Sequence, residues 1–454
     1  MKQISYLILP FLLWACAQTP TSQVNRVVSP LSNIPDQLKT NPDKIPDRIG
    51  AGETSSECDE EWLLSESPLL LTDVLIIAQR RNPTLQSAGE RWKSVQERPR
   101  QARTLEDPML QTRQVTEPDQ TKTGAMLSQK FPWFGKLNLA GQVAEIETGV
   151  AEQEVLQEKW RLVAQTKIAY YDLFLINQSL QINREVKEIL ANIEKIAQLQ
   201  YATGKVTQSD VLKTQIELAR LTNDIITLEQ MKTTARAALN RHLNRPSEAP
   251  LGEPGPFIPL PLKLTQKRLT ELAVQYSPEI KIAEREIQLE RTRVGLAQKQ
   301  FYPDFVISGE YNNISNGVRD KEWAGGVGIN LPLWRGKYRS AVRETEASQR
   351  ASEQNYQALI NKTALEIKEI YVKVTTAWRT MELYEKTLLP QAEQSLATSQ
   401  VAYQTGQSDF LNLLDSVRLL LELKLGFYQA QVGYKKALAE LEFCCAFPVE
   451  EVTD

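Results

Sequence analysis

One order of residues is written twice along this chain, and that repeat restricts the fold more than any other feature. Ala78…Asn82-Pro83-Thr84-Leu85…Ala88 returns as Ala273…Ser277-Pro278-Glu279-Ile280…Ala283, 195 positions later. Pro108 returns as Pro303 at the same offset. Phe131-Pro132-Trp133-Phe134-Gly135-Lys136 is answered by Leu331-Pro332-Leu333-Trp334-Arg335-Gly336-Lys337. Lys167…Tyr170 maps onto Lys368…Tyr371, and Tyr201-Ala202-Thr203-Gly204 onto Tyr403-Gln404-Thr405-Gly406. The offset drifts only from 195 to 202, as loop insertions allow. Each match is weak alone, but five in one order define a tandem repeat with units 69–260 and 261–445 and a short tail, 446–454.

Both units have the same order of elements. A helical pattern of about 20 residues (84–104; 279–301) leads into a segment with strand character. A very long helical pattern follows (136–201; 337–403), then a turn at Gly204 or Gly406, then a closing helix (209–244; 410–444). At 1.5 Å per residue the long helices run to roughly 95–100 Å, beyond a globular diameter. Such helices need partners along their whole length, which implies coiled-coil packing; a buried helix in a bundle is the plainer alternative. Leu414, Val417, Leu421, Leu425, Tyr428 and Val432 recur three or four apart, as a packing seam requires. Pro390 should kink or split the second long pattern. A closing helix stacked on a shorter helix nearly equals one long helix, the match a uniform tube wall demands.

The segments between helices alternate. Phe305, Ile307 and Tyr311 share one face, and Ser308, Glu310 and Asn312 the other. After a polar loop, Ile314 to Glu322, Trp323, Val327, Ile329 and Leu331 alternate with Ala324, Gly326, Gly328 and Asn330. The pair within 304–331 suits tilted outer-membrane strands, apolar outside and small or polar inside. The first unit's pair, about 109–115 and 123–131, alternates less cleanly and leans on the repeat. Phe131, Trp133, Phe134, Tyr302 and Trp334 cluster where an interfacial girdle belongs. Four strands cannot close a barrel, and an open edge in lipid strands backbone groups without partners, so several copies must contribute. Pro132 and Pro332, each followed by a glycine (Gly135, Gly336), mark the strand-to-helix junctions.

The amino terminus has a basic start, an apolar run from Ile4 to Trp14, and then Ala15-Cys16. Residues 1–15 therefore read as a signal peptide. Leu13-Trp14-Ala15-Cys16 resembles a bacterial lipobox, although Trp14 departs from the small or aliphatic residue usual there; Cys16 is then the lipidation site, acylated and palmitate-bearing, and Ala17 favours outer-membrane sorting. An ordinary secretory signal with a chance cysteine is the alternative. Residues 16–68, with Pro20, Pro30, Pro35, Pro42 and Pro46, read as a linker or wrapping arm. Beyond the signal no apolar run is long enough for a spanning helix. The net charge of −3 gives no reason to expect nucleic acid, and one histidine (His242) with four cysteines leaves little for a His- or Cys-rich metal site. No nucleophile–His–acid set, phosphate loop or metal spacing is present, so no catalytic residue and no cofactor is assigned. Cys444 and Cys445 at the chain end are not expected to act as functional thiols.

On the tandem repeat, the proline-bounded strand pairs, the Gly-Lys helix starts and the two Tyr-x-x-Gly tips, residues 69–445 resemble the TolC-like outer-membrane factor family. The resemblance implies a mainly α fold with a membrane β-barrel part. Long coiled-coil helices would form a trimeric α-barrel, and four strands per protomer would complete a 12-stranded outer-membrane barrel. It implies a homotrimeric exit duct in outer-membrane lipid, partnered by a periplasmic adaptor (membrane fusion protein) and an inner-membrane transporter. The lipobox is similar to the acylated branch found with RND-type exporters. In the second tip, Gly406 allows the left-handed reversal and Ser408 or Asp409 can cap the next helix. The resemblance places Tyr403, Ser408, Asn412 and Asp415 at the periplasmic entrance, with Asp415 in an acidic ring. Asn412 stands where a second acid is usual, and Ser408 where a locking arginine is usual. Gly204, Lys205, Val206, Asp210, Gly406 and Gln407 become the adaptor-docking tips; simple capping is the competing role for Asp210. The alternative function is a lipid-anchored periplasmic coiled-coil spacer or adaptor.

Overall fold

In a computed structural model of the chain, the described residues are 63–65, 68–117, 120–204, 206–315 and 319–449. All belong to one unit, Ser55–Asp454. The expected signal peptide (1–15), the expected lipidation site Cys16, Cys58 and Lys205 lie outside the described residues.

Each half opens with a short amphipathic helix that the pattern of the sequence had not separated: α1, Leu71–Arg81, and its counterpart α6, Gln266–Tyr276. The following proline ends the first helix and starts the next. α2 spans Pro83–Gln96, with Asn82 as its cap: the Asn82 side-chain Oδ1 accepts from the N–H groups of Thr84 and Leu85. The predicted helix over 84–104 is broken at Glu97, because Pro99 cannot continue the ladder; α3 restarts over Arg98–Arg103. In the second half α7 runs unbroken over Pro278–Lys299.

Strands β1, Met109–Glu117, and β2, Gln120–Phe131, lead into α4, Lys136–Ala202, a helix of 67 residues. It turns back into α5, Gln208–His242. The second half repeats this with β3, Phe305–Ser315, and β4, Arg319–Ile329, followed by α8, Arg335–Leu383. Pro390 neither splits nor ends this run. A single π turn, Tyr384–Leu388, precedes it, and α9 continues over Leu389–Gln404. The widened turn includes Lys386, whose carbonyl the proline ring would otherwise strike. The last helix, α10, spans Phe410–Cys445.

The four strands form one antiparallel sheet in the order β1-β2-β3-β4. Its register aligns Phe131 with Phe305 and Phe305 with Ile329. The strands are longer than the alternation indicated. The stretch 314–322, expected as a polar loop, is largely ladder, with Lys321 opposite Asn313 and Glu322 opposite Asn312. Backbone pairing holds these residues although their side chains are polar. Cross-strand partners share a face, so the register sorts every strand residue. Leu110, Leu127, Phe131, Phe305, Ile307, Tyr311, Trp323, Val327 and Ile329 fall on one side. Arg113, Lys130, Glu310 and Glu322 fall on the other, with Ser128, Ser308, Asn312, Gly326 and Gly328. The first hairpin, ambiguous in apolarity, therefore segregates its charge cleanly.

The helices pack in three apolar clusters. One joins Phe174, Tyr170 and Leu173 of α4 to Leu239 and Val432; a second joins Tyr434 and Leu441 to Ile367 and Leu269. The third lies toward the hairpin tips and joins Val186 and Leu190 to Leu221, Leu396, Tyr403, Phe410 and Val417. Leu414, Val417 and Val432 of the predicted seam are buried, and Leu421, Leu425 and Tyr428 pack against the same cluster. No helix among the described residues is long and apolar enough to cross a membrane.

Candidate functional site: the two hairpin tips and the strand-to-helix junction

At the junction, Pro132 ends β2, and Gly135 takes φ +88°, a left-handed backbone that favours glycine. Lys136 is the first residue of α4 and is buried, although the positive end of a helix disfavours a cation. Its partners explain the placement: Nζ donates to the Tyr302 carbonyl at 3.0 Å and to Asp304 Oδ1 at 2.7 Å. The Trp133 N–H reaches the same carboxylate oxygen at 2.9 Å. Burial works against the Asp304 charge, but the Lys136 and Trp133 hydrogen bonds outweigh it and hold the carboxyl below its ordinary value. Asn330 completes the knot by accepting from the Asp304 N–H through Oδ1 and donating its own N–H to the Asp304 carbonyl. Trp133 stacks on Tyr302 and Phe305, with ring centroids 5.3 and 5.6 Å apart. Pro332 stands at the second junction, where Gly336 lies inside the first turn of α8 and not before it. Its φ is not positive, since the helix begins at Arg335, two residues before Lys337, the counterpart of Lys136.

The first tip reverses at Gly204, φ +72°, whose N–H donates to the Tyr201 carbonyl at 2.9 Å. Val206 is half-buried and packs against the tip cluster, so it is not freely displayed. Asp210 accepts through Oδ2 from the Thr207 N–H at 3.2 Å and the Thr207 hydroxyl at 2.9 Å, which makes it a cap of α5. The second tip reverses at Gly406, φ +76°, and the Gln407 and Ser408 N–H groups both donate to the Ala402 carbonyl, at 2.8 and 3.2 Å. Asn412 donates through Nδ2 to Ser408 Oγ at 3.3 Å. Asp409 precedes α10 without a side-chain capping bond, and Ser408 does not cap it either.

Tyr201 and Tyr403 hold equivalent places but differ in environment: Tyr201 is 48% exposed and Tyr403 only 3%. Tyr403 packs edge-on against Phe410, and its hydroxyl has no hydrogen-bond partner among the described residues. Burial, and then the nearby carboxylates of Asp210 and Asp409, push the phenol above its ordinary value. The fold thus sets Tyr403 of the second hairpin beside Asp210 of the first.

Asp415 is exposed on α10, and its nearest cation is Arg418 on the same helix, 3.7 Å away. Arg418 makes a stronger contact that the sequence did not announce. Its Nε and Nη2 donate to the two carboxylate oxygens of Glu217 on α5, at 3.0 and 2.7 Å. This fork ties one hairpin to the other. The hydrogen bond from Arg418 lowers the Glu217 carboxyl below its ordinary range, and Glu217 in turn raises the guanidinium. The two residues stand 201 apart, one short of the 202 that relates the two tips, so Glu217 answers to Leu419 and the repeat gave no signal for the pair. Asp304 and Lys136, 168 apart, likewise offered no signal beyond their places beside the junction prolines.

At the chain end, burial pushes the Cys444 and Cys445 thiols up to about 11 and about 12. Both are free, and neither is poised to act as a nucleophile.

A four-stranded antiparallel sheet between paired long helical hairpins, written twice, recurs in known proteins. The chain matches the family described as outer membrane efflux protein over residues 75–245 and 269–445. It is 22% identical over 377 residues to the cobalt-zinc-cadmium resistance protein CzcC of Cupriavidus metallidurans, covering 82% of this chain and 87% of that protein. The alkaline protease secretion protein AprF of Pseudomonas aeruginosa is also 22% identical, over 65% of this chain and 64% of its own length. Among solved structures, the outer membrane protein VceC of Vibrio cholerae aligns with a TM-score of 0.72 at 20% identity, over 84% of this chain and 97% of that one. CusC aligns with a TM-score of 0.72 at 16% identity, over 88% and 96%. With both repeat units matched and the whole architecture shared, the chain belongs to the outer membrane efflux protein family.

Proposed function

We propose that the protein is the outer-membrane exit duct of a tripartite efflux system, a passive conduit built from three identical copies. The observation that carries this reading is the sheet: two free edges, and one face that holds most of the charge, with Lys321 near the strand end an exception. Half the residues of an edge strand aim N–H and C=O outward. β1 and β4, with 9 and 11 residues, therefore leave about ten of each group without partners. At a few kcal/mol apiece in hydrocarbon, the cost runs to tens of kcal/mol, beyond the roughly 5–15 kcal/mol that holds a domain folded. Three copies joined edge to edge remove both edges and give twelve strands around one lumen. The face with Arg113, Glu310 and Glu322 then lines water, and the face with Ile307, Trp323 and Val327 meets lipid.

In this reading the long hairpins extend into the periplasm, and their tips, including Lys205 and Gln407, meet an adaptor and an inner-membrane transporter, with Val206 packed beneath them. An RND-type transporter fits the lipobox at Cys16. Tyr403, Ser408, Asn412 and Asp415 surround the entrance, where three copies of Asp415 attract cations. A channel of this kind needs no ligand for its cargo, and specificity rests with the transporter. The test is reconstitution of the detergent-extracted protein into planar bilayers. Discrete conductance steps support the duct. Protein that stays bound to lipid yet never conducts supports a coiled-coil spacer instead.

A further inference from the structure

The chain contains its own template for the contact between copies. Within one copy, β2 of the first repeat meets β3 of the second, with Phe131 opposite Phe305. The repeat makes β4 the counterpart of β2 and β1 the counterpart of β3. Anchored on Pro132 and Pro332, Phe131 corresponds to Leu331; anchored on Pro108 and Pro303, Phe305 corresponds to Leu110. The same contact between copies therefore sets Leu331 opposite Leu110, Ile329 opposite Thr112 and Val327 opposite Gln114. The faces of the two edge strands agree with this register. Ile329 and Val327 lie on the face of Phe305 and Ile307, and Leu110 lies on the face of Leu127 and Gly309, which is the same face. A slip of one residue would turn β4's apolar side into the lumen.

The edges also carry the halves of a second clasp. Inside the copy, Trp133 covers Phe305, and Lys136 reaches the Tyr302 carbonyl and Asp304. The counterparts at the β4 edge are uncovered: Trp334 is 78% exposed, and Lys337 is exposed, with its Nζ 6.0 Å from the Tyr338 ring centroid and no ion pair among the described residues. One backbone bond recurs in both places, since the Lys136 N–H donates to the Trp133 carbonyl and the Lys337 N–H to the Trp334 carbonyl, each at 3.0 Å, although only Gly135 is left-handed. At the β1 edge, Leu110 is 66% exposed, and Asp107, the counterpart of Tyr302, is exposed. An apolar group and a cation on one edge thus match an apolar group and an anion on the other.

Resting on the trimeric reading above, we propose that β4 of one copy pairs antiparallel with β1 of the next in the register Ile329–Thr112, and that Lys337 closes each seam on Asp107 of the next copy. Trp334 covers Leu110 of that copy, as Trp133 covers Phe305.

Cysteine pairs test the register in outer-membrane preparations. Adjacent pairs alternate between hydrogen-bonded and non-hydrogen-bonded types, so Thr112→Cys/Ile329→Cys and Arg113→Cys/Gly328→Cys cover both. Thr112→Cys with Val327→Cys, or with Leu331→Cys, reports a two-residue shift either way. Within one copy β1 and β4 are three strand spacings apart, about 14 Å, too far for a disulfide. Oxidation is expected to give dimer and trimer ladders from the first two pairs, several-fold above the shifted pairs and the unsubstituted protein. A stronger ladder from a shifted pair overturns the register and leaves the barrel standing. No ladder from any pair, with trimer still captured by an amine cross-linker, overturns the seam alone; loss of both signals overturns the trimer as well. For the clasp, Lys337→Glu and Asp107→Lys should each lower the fraction of trimer surviving SDS, and the double exchange should restore it. A double variant no better than either single one removes the ion pair from the account.

Discussion

Tyr403 is buried with its hydroxyl unpaired, which separates its packing from its polarity. Tyr403→Phe should leave the thermal midpoint unchanged or slightly raised, because it removes an unsatisfied polar atom. Tyr403→Ala should cost about 3–5 kcal/mol through the cavity left beside Phe410. Differential scanning fluorimetry of the detergent-extracted protein reads both. Gly426 is a second such position: a Cβ there would stand 2.6 Å from the Tyr384 hydroxyl oxygen and 2.8 Å from the ring. Tyr384 opens the π turn, so Gly426→Val should push that turn against α10 and destabilise by about 1–3 kcal/mol. Asp415 is exposed, and its replacement by Ala should leave stability unchanged. If it lines the entrance, the same change weakens block of single-channel current by multivalent cations; unchanged block moves the constriction elsewhere.

Between elements, the Glu217–Arg418 fork adds a polar tie to the apolar cluster that joins the two hairpins near their tips. Arg418→Ala should loosen them, with larger or longer single-channel openings expected from that variant. The pH dependence follows from the direction of the Glu217 shift. Its carboxyl is held below the ordinary value by Arg418. The stabilisation is therefore complete above the usual carboxylate range, near 4.3, and is lost as pH falls through the depressed value. Acidification should open the unsubstituted channel in that window, and Arg418→Ala should abolish the acid response. Exposed pairs contribute little; Glu217 is 13% exposed but Arg418 is 45% exposed, so solvent screens the fork in part and its effect on stability is modest.

At this scale the limits of the sequence are also plain. Long helices, tips and strand pairs were legible because a period of 3.6 or 2 repeats over many residues. Helices α1 and α6 were not separated, since each is short and abuts a proline that marks the next helix. Strand ends were read short, because polar residues such as Asn313 and Lys321 break the alternation without breaking the ladder. Pro390 signalled a discontinuity, but the form it took, a π turn, depends on the helix packed against it. The junction knot of Lys136, Asp304 and Asn330 needs three separate segments to meet, and no local pattern encodes that.

Across the molecule, the repeat makes one half a guide to the other, and the differences mark where the halves face different neighbours. Trp133 is covered and Trp334 is not; Lys136 has its carboxylate and Lys337 does not. Those differences lie at the free edges of the sheet, where one chain ends its own pairing. They point to further copies of the same chain as the missing neighbours. The most direct measurement is native mass spectrometry of the protein released from lipid nanodiscs. The expected result is a complex of three chains, each of 51.5 kDa before any processing. A single chain that remains folded and stably embedded in the lipid would contradict it.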